Sequence, residues 1–281
     1  MKKSKILKDL LSSKETLVMP DAYDPISAKI IEYMGFKAVQ CSGFSFSIAA
    51  CKSNEIDIDF KENISITSKI INAVSIPVMA DGEDGFGGLE QICTTIESYI
   101  RAGTAGINLE DQVLDKMIGT KIIDCQLMQD KIKIAKNTAI KIGDPDFIIN
   151  GRTDALGAFD SRKDGLNESI KRANKYLEAG ADLVFVTQVK TSDEAKILMK
   201  EINGPLSIAA GLASNINNFT INDLKEIGIA RVSLPTIAIT STINALMKSI
   251  EYLKSGEFKD ILEDNLLCSA MDIKNIIGAF K

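Results

Sequence analysis

Histidine is missing from all 281 residues. A Ser-His-Asp triad, a Cys-His pair and every zinc site built on imidazole are thereby excluded. Acid-base or metal chemistry must run on carboxylates, Lys, Tyr, Cys or the water of a bound ion. Cysteine is sparse: Cys41, Cys51, Cys93, Cys125 and Cys268 are widely spaced and form no CxxC pair. That pattern fits reduced thiols in a cytoplasmic protein rather than a disulfide framework. No apolar run approaches the roughly 20 residues of a membrane span. The basic start, MKKSKILKDLLSSKE, is broken by Lys8 and Asp9 and reads as an amphipathic helix, not a signal peptide. No membrane partner is expected. Basic clusters are also lacking: 33 Lys and Arg lie scattered against 38 Asp and Glu, for a net charge of −5. Nucleic acid is therefore not expected either, since phosphate binding needs concentrated positive charge. A small anionic substrate remains open to such a chain wherever Arg, backbone N–H groups and a metal converge.

No linker rich in Pro, Gly or Ser divides the chain, so residues 1–281 are read as one domain. With 45% hydrophobic and 25% charged residues it has the balance of a soluble globular protein with a sizeable core. Short apolar runs alternate with longer helical patterns. The strand candidates are Thr16–Met19, Ala38–Cys41, Val78–Ala80, Gly106–Leu109, Phe147–Asn150, Leu183–Thr187, Leu206–Ala209 and Ala230–Leu234. Near-continuous apolar runs mark strands covered on both faces. The fold class is α/β, with a single (β/α)₈ TIM-type barrel as the leading architecture and a doubly wound open sheet as the alternative.

Helix signals agree. Pro25–Tyr33 follows Asp24 as a cap and precedes Gly35. Gly88–Arg101, Asn167–Glu178 and Ile221–Ile227 stop at Gly103, Gly180 and Gly228. Beyond the eighth strand, Ile237–Lys254 and Leu266–Phe280 predict extra C-terminal helices over about 237–281. They are candidates to pack outside the barrel or on a neighbouring subunit.

In a barrel, function sits where the strands end. Cys41-Ser42-Gly43 follows the second strand, Asp81-Gly82-Glu83-Asp84-Gly85 the third, Glu110-Asp111 the fourth and Gly151-Arg152-Thr153-Asp154 the fifth. Alone, the DGEDG run is a solvated acidic turn. It is not an EF-hand, because the twelfth position from Asp81 is Ile92 where Glu is required. The acidic pair at Glu110 shifts the balance towards an all-oxygen site for magnesium, a hard ion. Arg152 could clamp a substrate carboxylate bidentately or pair with the nearby acids, and Asp154 could orient it. Ser42 and Gly43 offer a hydroxyl and a backbone N–H, or merely a turn.

The segments PDAYDPISAKIIEYMGFKAVQCSG, PVMADGEDGFGG, AGINLEDQVLDK and IINGRTDA, taken together, resemble the isocitrate lyase/phosphoenolpyruvate mutase superfamily from about Leu17 to Leu234. The resemblance implies a TIM barrel with a helix swapped between subunits, assembled as a homotetramer (a dimer of dimers). It implies Mg²⁺, with Mn²⁺ as a substitute, ligated by Asp81, with Glu83 and Glu110 holding its waters. Ser42, Gly43 and Arg152 would bind a small carboxylate substrate. Lys116 falls on the family's gating loop. Asn54, or alternatively Asp57 or Asp59, falls where mutases carry a catalytic Asp. Thr187 stands where lyases carry a Glu and joins the substrate-binding set.

The implied chemistry is an enolate of a pyruvate-like fragment. Its leading form is a lyase or decarboxylase that cleaves a C–C bond of a small 2-oxo or 2-hydroxy di- or tricarboxylic acid. The alternatives are a C–P bond enzyme, either a phosphonomutase or a phosphonopyruvate hydrolase, and a degenerate barrel that only binds a carboxylate. One departure stands out: the loop reads Lys116-Met117-Ile118-Gly119-Thr120 where the lyases carry a cysteine acid, and Ile118 cannot donate a proton.

Overall fold

A computed structural model describes residues 1–113, 120–256 and 258–278. Eight parallel strands close in chain order into a barrel: β1 Leu17–Ala22, β2 Val39–Cys41, β3 Val78–Asp81, β4 Gly106–Glu110, β5 Ile148–Thr153, β6 Leu183–Val186, β7 Leu206–Ala209 and β8 Arg231–Leu234. Closure is made by β1 against β8, with Leu17 beside Arg231 and Pro20 beside Leu234. The open sheet is excluded. Several strands run further than their apolar runs. Proline lacks an N–H, so Pro20 reads as a strand end, yet β1 continues through it to Ala22. Asp81, Glu110 and Arg152 are strand residues, paired as Asp81 with Asn108 and Glu110 with Arg152. Ladder pairing therefore fixes the backbone directly beneath these charged side chains.

The helices are α1 Lys3–Leu11, α2 Pro25–Tyr33, α3 Gly43–Ala49, α4 Phe60–Ala73, α5 Leu89–Ala102, α6 Cys125–Lys141, α7 Arg162–Glu178, α8 Ser192–Glu201, α9 Ile221–Ile227, α10 Ile237–Ser255, α11 Lys259–Glu263 and α12 Ala270–Ile277. α2 opens with a capping box, in which Asp24 accepts from the Ser27 N–H and Ser27 reciprocates. Gly103 and Gly228 end α5 and α9 in the left-handed conformation that glycine adopts without a Cβ penalty. α7 begins at Arg162, five residues before the predicted start, because Ser161 caps it and accepts from the Asp164 N–H. Gly165 lies inside the helix. There a Cβ would stand 2.9 Å from the Leu156 carbonyl oxygen, so the helix sits close on the preceding turn.

The amphipathic start closes the bottom of the barrel. Leu7 and Leu11 of α1 pack with Leu17, Met19, Met79, Ile148 and Leu183. Burial of each leucine contributes roughly 1.5–3 kcal/mol. A second core lies between barrel and helices, where Ile107, Leu109, Ile149 and Val184 face Ile92, Ile96, Tyr99 and Tyr176. Strand side chains alternate between the two cores. In β5, Ile148, Asn150 and Arg152 share one face, as Gly106, Asn108 and Glu110 do in β4. Apolar bottom, polar middle and charged top form successive layers inside the barrel. No helix of the described residues is long and apolar enough to cross a membrane.

Candidate active site

Three carboxylates meet at the top of β3 and β4. Asp81, Glu83 and Glu110 each bring an oxygen within 4.8 Å of the others, and all three side chains are buried. Asp81 and Glu110 arrive on their strands. Glu83 is carried by the β3–α5 loop, whose backbone is bonded to β4: Gly82 N–H donates to the Asn108 carbonyl and Glu110 N–H to the Glu83 carbonyl, both at 2.9 Å. The loop is tightly wound. Glu83 and Phe86 hold φ of 49° and 60°, a conformation costly for side-chain-bearing residues and characteristic of functional sites. Lys131 of α6 pins the turn by donating to the carbonyls of Asp84 at 2.5 Å and Gly87 at 3.0 Å. Asp84, though part of the same acidic run, bonds within its own loop and stays out of the cluster.

Burial raises the pKa of Asp81 against the opposing pull of Arg152 and of the Gly43 N–H. Burial likewise holds Glu83 well above its ordinary value, reinforced by Asp81 and Glu110. Glu110 is raised for the same first reason, against Arg152. Asp81 Oδ1 and both Glu110 oxygens accept no hydrogen bond. Buried carboxylates normally find partners, and three of them side by side repel. An oxygen-only set with unused acceptor positions fits a hard divalent cation such as magnesium.

Arg152 stands over this cluster. Its Nη1 lies 2.5 Å from Glu110 Oε2, outside hydrogen-bonding alignment. Nε and Nη2 donate to the two oxygens of Asp154 at 2.9 and 3.2 Å, and Nη2 also reaches Gln112 Oε1 at 3.2 Å. Its guanidinium carbon is 6.0 Å from the centroid of the Phe185 ring. Thr187 hydroxyl donates to Asp154 Oδ1 at 2.8 Å. Behind this clamp, Asp111 Oδ2 accepts from Thr153 at 2.7 Å, Tyr176 at 2.6 Å and Arg172 at 3.0 Å, while its Oδ1 accepts from the Asp154 N–H at 2.9 Å. Asp111 thus ties β4, β5 and α7 together under Arg152.

A cavity of about 220 Å³ opens above these groups, lined among others by Ser42, Glu55, Asp81, Arg152, Asp154 and Thr187. Of the sequence candidates it gathers Ser42, Asp81, Arg152 and Thr187 on its wall. Glu83 and Glu110 sit beside Asp81. Ser42 also caps α3, its oxygen 3.4 Å from the Ser45 N–H. Gly43 is adjacent, with its N–H directed to Asp81 Oδ2 at 2.9 Å. Asn54 is not on the cavity wall; its amide lies 3.4 Å from Asp57 Oδ2. The side chain that enters from this segment is Glu55. Its pKa is raised, first by burial, then by Asp81 and Asp154 against the opposing Arg152. Lys116 and Ile118 lie outside the described residues.

Sequence reasoning missed Glu55, Phe185 and a polar layer beneath the site. Arg231 in β8 is fully buried, donates to Gln40 and lies 5.5 Å from the Phe185 centroid. With the Asn150 amide oxygen turned towards it, Arg231 Nη1 is 2.7 Å away. Gln40 in turn donates to Ser233 at 2.8 Å. Burial pulls the Arg231 pKa down to about 9. A signal was available in the every-second-residue recurrence of polar side chains in β4 and β5.

Comparison with known proteins finds a family model and relatives that match most of the chain. A sequence model described as phosphoenolpyruvate phosphomutase matches residues 7–254. The chain is 34% identical over 259 residues to the 2,3-dimethylmalate lyase of Eubacterium barkeri, covering 89% of this chain and 86% of that one. It is 32% identical over 263 residues to the chloroplastic carboxyvinyl-carboxyphosphonate phosphorylmutase of Arabidopsis thaliana, covering 90% and 76%. Among solved structures, a phosphonopyruvate hydrolase in complex with oxalate and Mg²⁺ superimposes with a TM-score of 0.85 at 26% identity, covering 99% of this chain and 96% of that one.

Proposed function

The chain belongs to the phosphoenolpyruvate phosphomutase family, and from that premise we propose a magnesium-dependent lyase or decarboxylase. Its substrate is a small 2-oxo or 2-hydroxy di- or tricarboxylic acid, whose C–C bond it cleaves through a pyruvate-like enolate. The observation that carries this reading is the convergence of Asp81, Glu83 and Glu110 beside Arg152 in one small cavity. Its volume, about 220 Å³, matches an acid of this size rather than a nucleotide or a sugar chain. The 34% identity to a 2,3-dimethylmalate lyase points the same way.

Asp81 would hold the metal directly, with Glu83 and Glu110 on its waters; once bound, it supplies positive charge to the substrate's 2-oxygen and carboxylate. The chain's own groups do the rest. Arg152, always protonated and held flat by Asp154, presents its guanidinium to the substrate carboxylate. Ser42 offers a hydroxyl from the same cavity wall, and Thr187 keeps Asp154 aimed. Phe185 gives the cavity an apolar side that strengthens these charge interactions by excluding water. Lys116, which lies outside the described residues, is the further basic candidate that the sequence offers.

A second reading, C–P bond chemistry, draws on the 32% identity to the phosphorylmutase. Against it, Arg152 is the one basic side chain among the described cavity-lining residues, little compensation for a phosphonate together with a carboxylate. We extend the first reading to a cytoplasmic homotetramer built as a dimer of dimers with exchanged C-terminal helices. The exposed apolar row Ile243, Leu246, Met247, Ile250 and Leu253 on α10 supports a partner surface there.

The test is incubation with Mg²⁺ and a panel of oxaloacetate, alkylmalates, methylisocitrate, phosphonopyruvate and phosphoenolpyruvate, followed by proton and phosphorus NMR. The expected result is metal-dependent release of an oxo acid from a C–C substrate, absent in Asp81→Ala. A phosphorus-containing substrate consumed in preference would favour the second reading. Normal Mg²⁺ binding by a folded protein with no turnover would sink both.

A further inference from the structure

Cleavage next to a carboxylate leaves an electron pair on carbon, and that carbon must take a proton before the product can leave. Of the ordinary donors, histidine is absent from the chain, and Ile118 stands at the loop position where the lyases carry cysteine. The described cavity wall carries five titratable side chains: Cys41, Glu55, Asp81, Arg152 and Asp154. Four are committed elsewhere. Asp81 belongs to the acidic cluster and accepts from Gly43. Both oxygens of Asp154 hold Arg152, and one also accepts from Thr187. Arg152 does not deprotonate in proteins. Cys41 is fully enclosed in the core around Phe46 and Ile70, away from bulk water.

Glu55 differs from all four. It has no hydrogen-bond or ion-pair partner among the described residues, and it is half-buried. It begins the short 3₁₀ turn Glu55–Asp57 between α3 and α4. That turn is firmly held: Ile58 N–H donates to the Glu55 carbonyl at 2.9 Å, Lys52 Nζ donates to the Asp57 carbonyl at 2.7 Å, and the Ile58 side chain is buried in the core. The free carboxyl therefore stands on an anchored backbone. It also lines a second, outer recess together with Glu83, Asp84 and Phe86. One carboxyl group thus forms part of the wall between the reaction cavity and a depression that meets solvent. A residue that must deliver a proton inward and regain one from water each turnover needs that placement.

We propose that Glu55 is the proton-transfer group of this enzyme: when the C3–C4 bond of a 2-oxo diacid breaks and CO₂ leaves, Glu55 in its carboxylic acid form protonates the enolate carbon, C3, of the 2-oxo acid product. In that step the Glu55 O–H bond breaks and a C–H bond forms at C3 from the enolate electron pair. The 2-oxygen becomes the ketone, and Glu55 is left as carboxylate, to be reprotonated from water in the outer recess. The proposal rests on the lyase reading above, and the same group run in reverse abstracts a C3 proton from the oxo acid.

The reverse direction supplies the test. Pyruvate and 2-oxobutanoate are incubated with the full-length protein and Mg²⁺ in D₂O, and loss of the C3 proton signal is followed by NMR. Oxalate, a planar stand-in for the enolate, is titrated calorimetrically in parallel. Wild type is expected to exchange, and Glu55→Gln to exchange roughly 100-fold more slowly or worse, with unchanged oxalate affinity and melting temperature. Glu55→Asp, which keeps the carboxyl but withdraws it by one methylene, is expected to recover part of the rate. Exchange by Glu55→Gln at the wild-type rate overturns the proposal alone. Loss of oxalate binding in step with exchange also overturns it, by making Glu55 a binding residue. Wild type that neither exchanges these acids nor cleaves any acid of the panel overturns the lyase reading, and this proposal with it.

Discussion

Gly43 donates its backbone N–H to Asp81 Oδ2 at 2.9 Å, across the gap between the β2–α3 junction and the end of β3. The contact requires the main chain of Gly43 to lie against the acidic cluster. A Cβ built at this position would stand 1.7 Å from Glu83 Oε1. Gly43→Ala is therefore expected to displace the Glu83 carboxylate while leaving the barrel intact. Ligand binding stabilises by about 2.7 kcal/mol at a hundredfold excess over Kd. A thermal melt with and without Mg²⁺ should thus show a rise of several degrees in wild type and little or none in Gly43→Ala. An equal rise in both proteins would mean that Glu83 takes no part in holding the ion.

Arg152 meets Asp154 through two parallel N–H···O contacts of 2.9 and 3.2 Å, with a third contact to Gln112. Lysine carries the same charge but no planar fork. Arg152→Lys should keep the fold and the attraction to an anion, while losing the fixed orientation. KM for the C–C substrate should rise about tenfold or more, equivalent to about 1.4 kcal/mol, and Mg²⁺ affinity should move far less. Steady-state kinetics paired with Mg²⁺ titration separates the two effects. Equal losses in both would place Arg152 in the metal site and not on the substrate.

Much of this site could be read before any coordinates, and the reasons differ residue by residue. Asp81, Glu110 and Arg152 were legible because each ends an apolar strand, and barrel strands all point their ends to one face. Glu83 was legible as a candidate, but its arrival depends on a left-handed backbone at a non-glycine position, which no pattern announces. Asn54 and Glu55 show where counting fails. Their segment lies in an irregular connection with a three-residue 3₁₀ turn, where no periodicity sets which side chain faces inward. Being out by one residue exchanges an amide that faces Asp57 for a carboxyl that faces the cavity. The buried Arg231–Gln40 pair was hidden for another reason. Its polar side chains occupy positions in strands that read as apolar, and their partners lie 191 residues apart.

Asp111 is the hub behind Arg152, with three side-chain donors on one oxygen and the Asp154 N–H on the other. Arg172 extends the hub by donating to the Ile123 carbonyl at 2.9 Å, so it also holds the segment that leads into α6. Removing the charge leaves Arg172 buried with a weakened partner, the costly case for an internal ion pair. Asp111→Asn is expected to lower stability by about 3 kcal/mol, read as a shift in the urea midpoint at constant slope. Because Asp154 loses its backbone anchor at the same time, KM should rise together with the stability loss. A destabilised variant with wild-type KM would show that the hub serves folding and not the orientation of Arg152.

Away from the site, the turn between α4 and β3 is fastened by Glu32 of α2. Its Oε2 accepts from Lys29 at 2.8 Å, and its Oε1 accepts from both the N–H, at 2.6 Å, and the hydroxyl of Ser75. Burial alone would raise this carboxyl, but the hydrogen bonds from Lys29 and Ser75 prevail and pull its pKa from 4.5 to about 2. A carboxyl depressed in the native state binds its proton more readily once unfolded. Its contribution is therefore complete above pH 4.5 and disappears as the pH falls towards 2. Glu32→Gln should melt below wild type near pH 6, and the difference should shrink steadily as both proteins are taken to about pH 2.5. The comparison is made by circular dichroism melts at matched ionic strength, so that other acidic groups cancel between the two. A gap that stays constant across this range would assign the stabilisation to the shape of the side chain, since only its charge is lost on acidification.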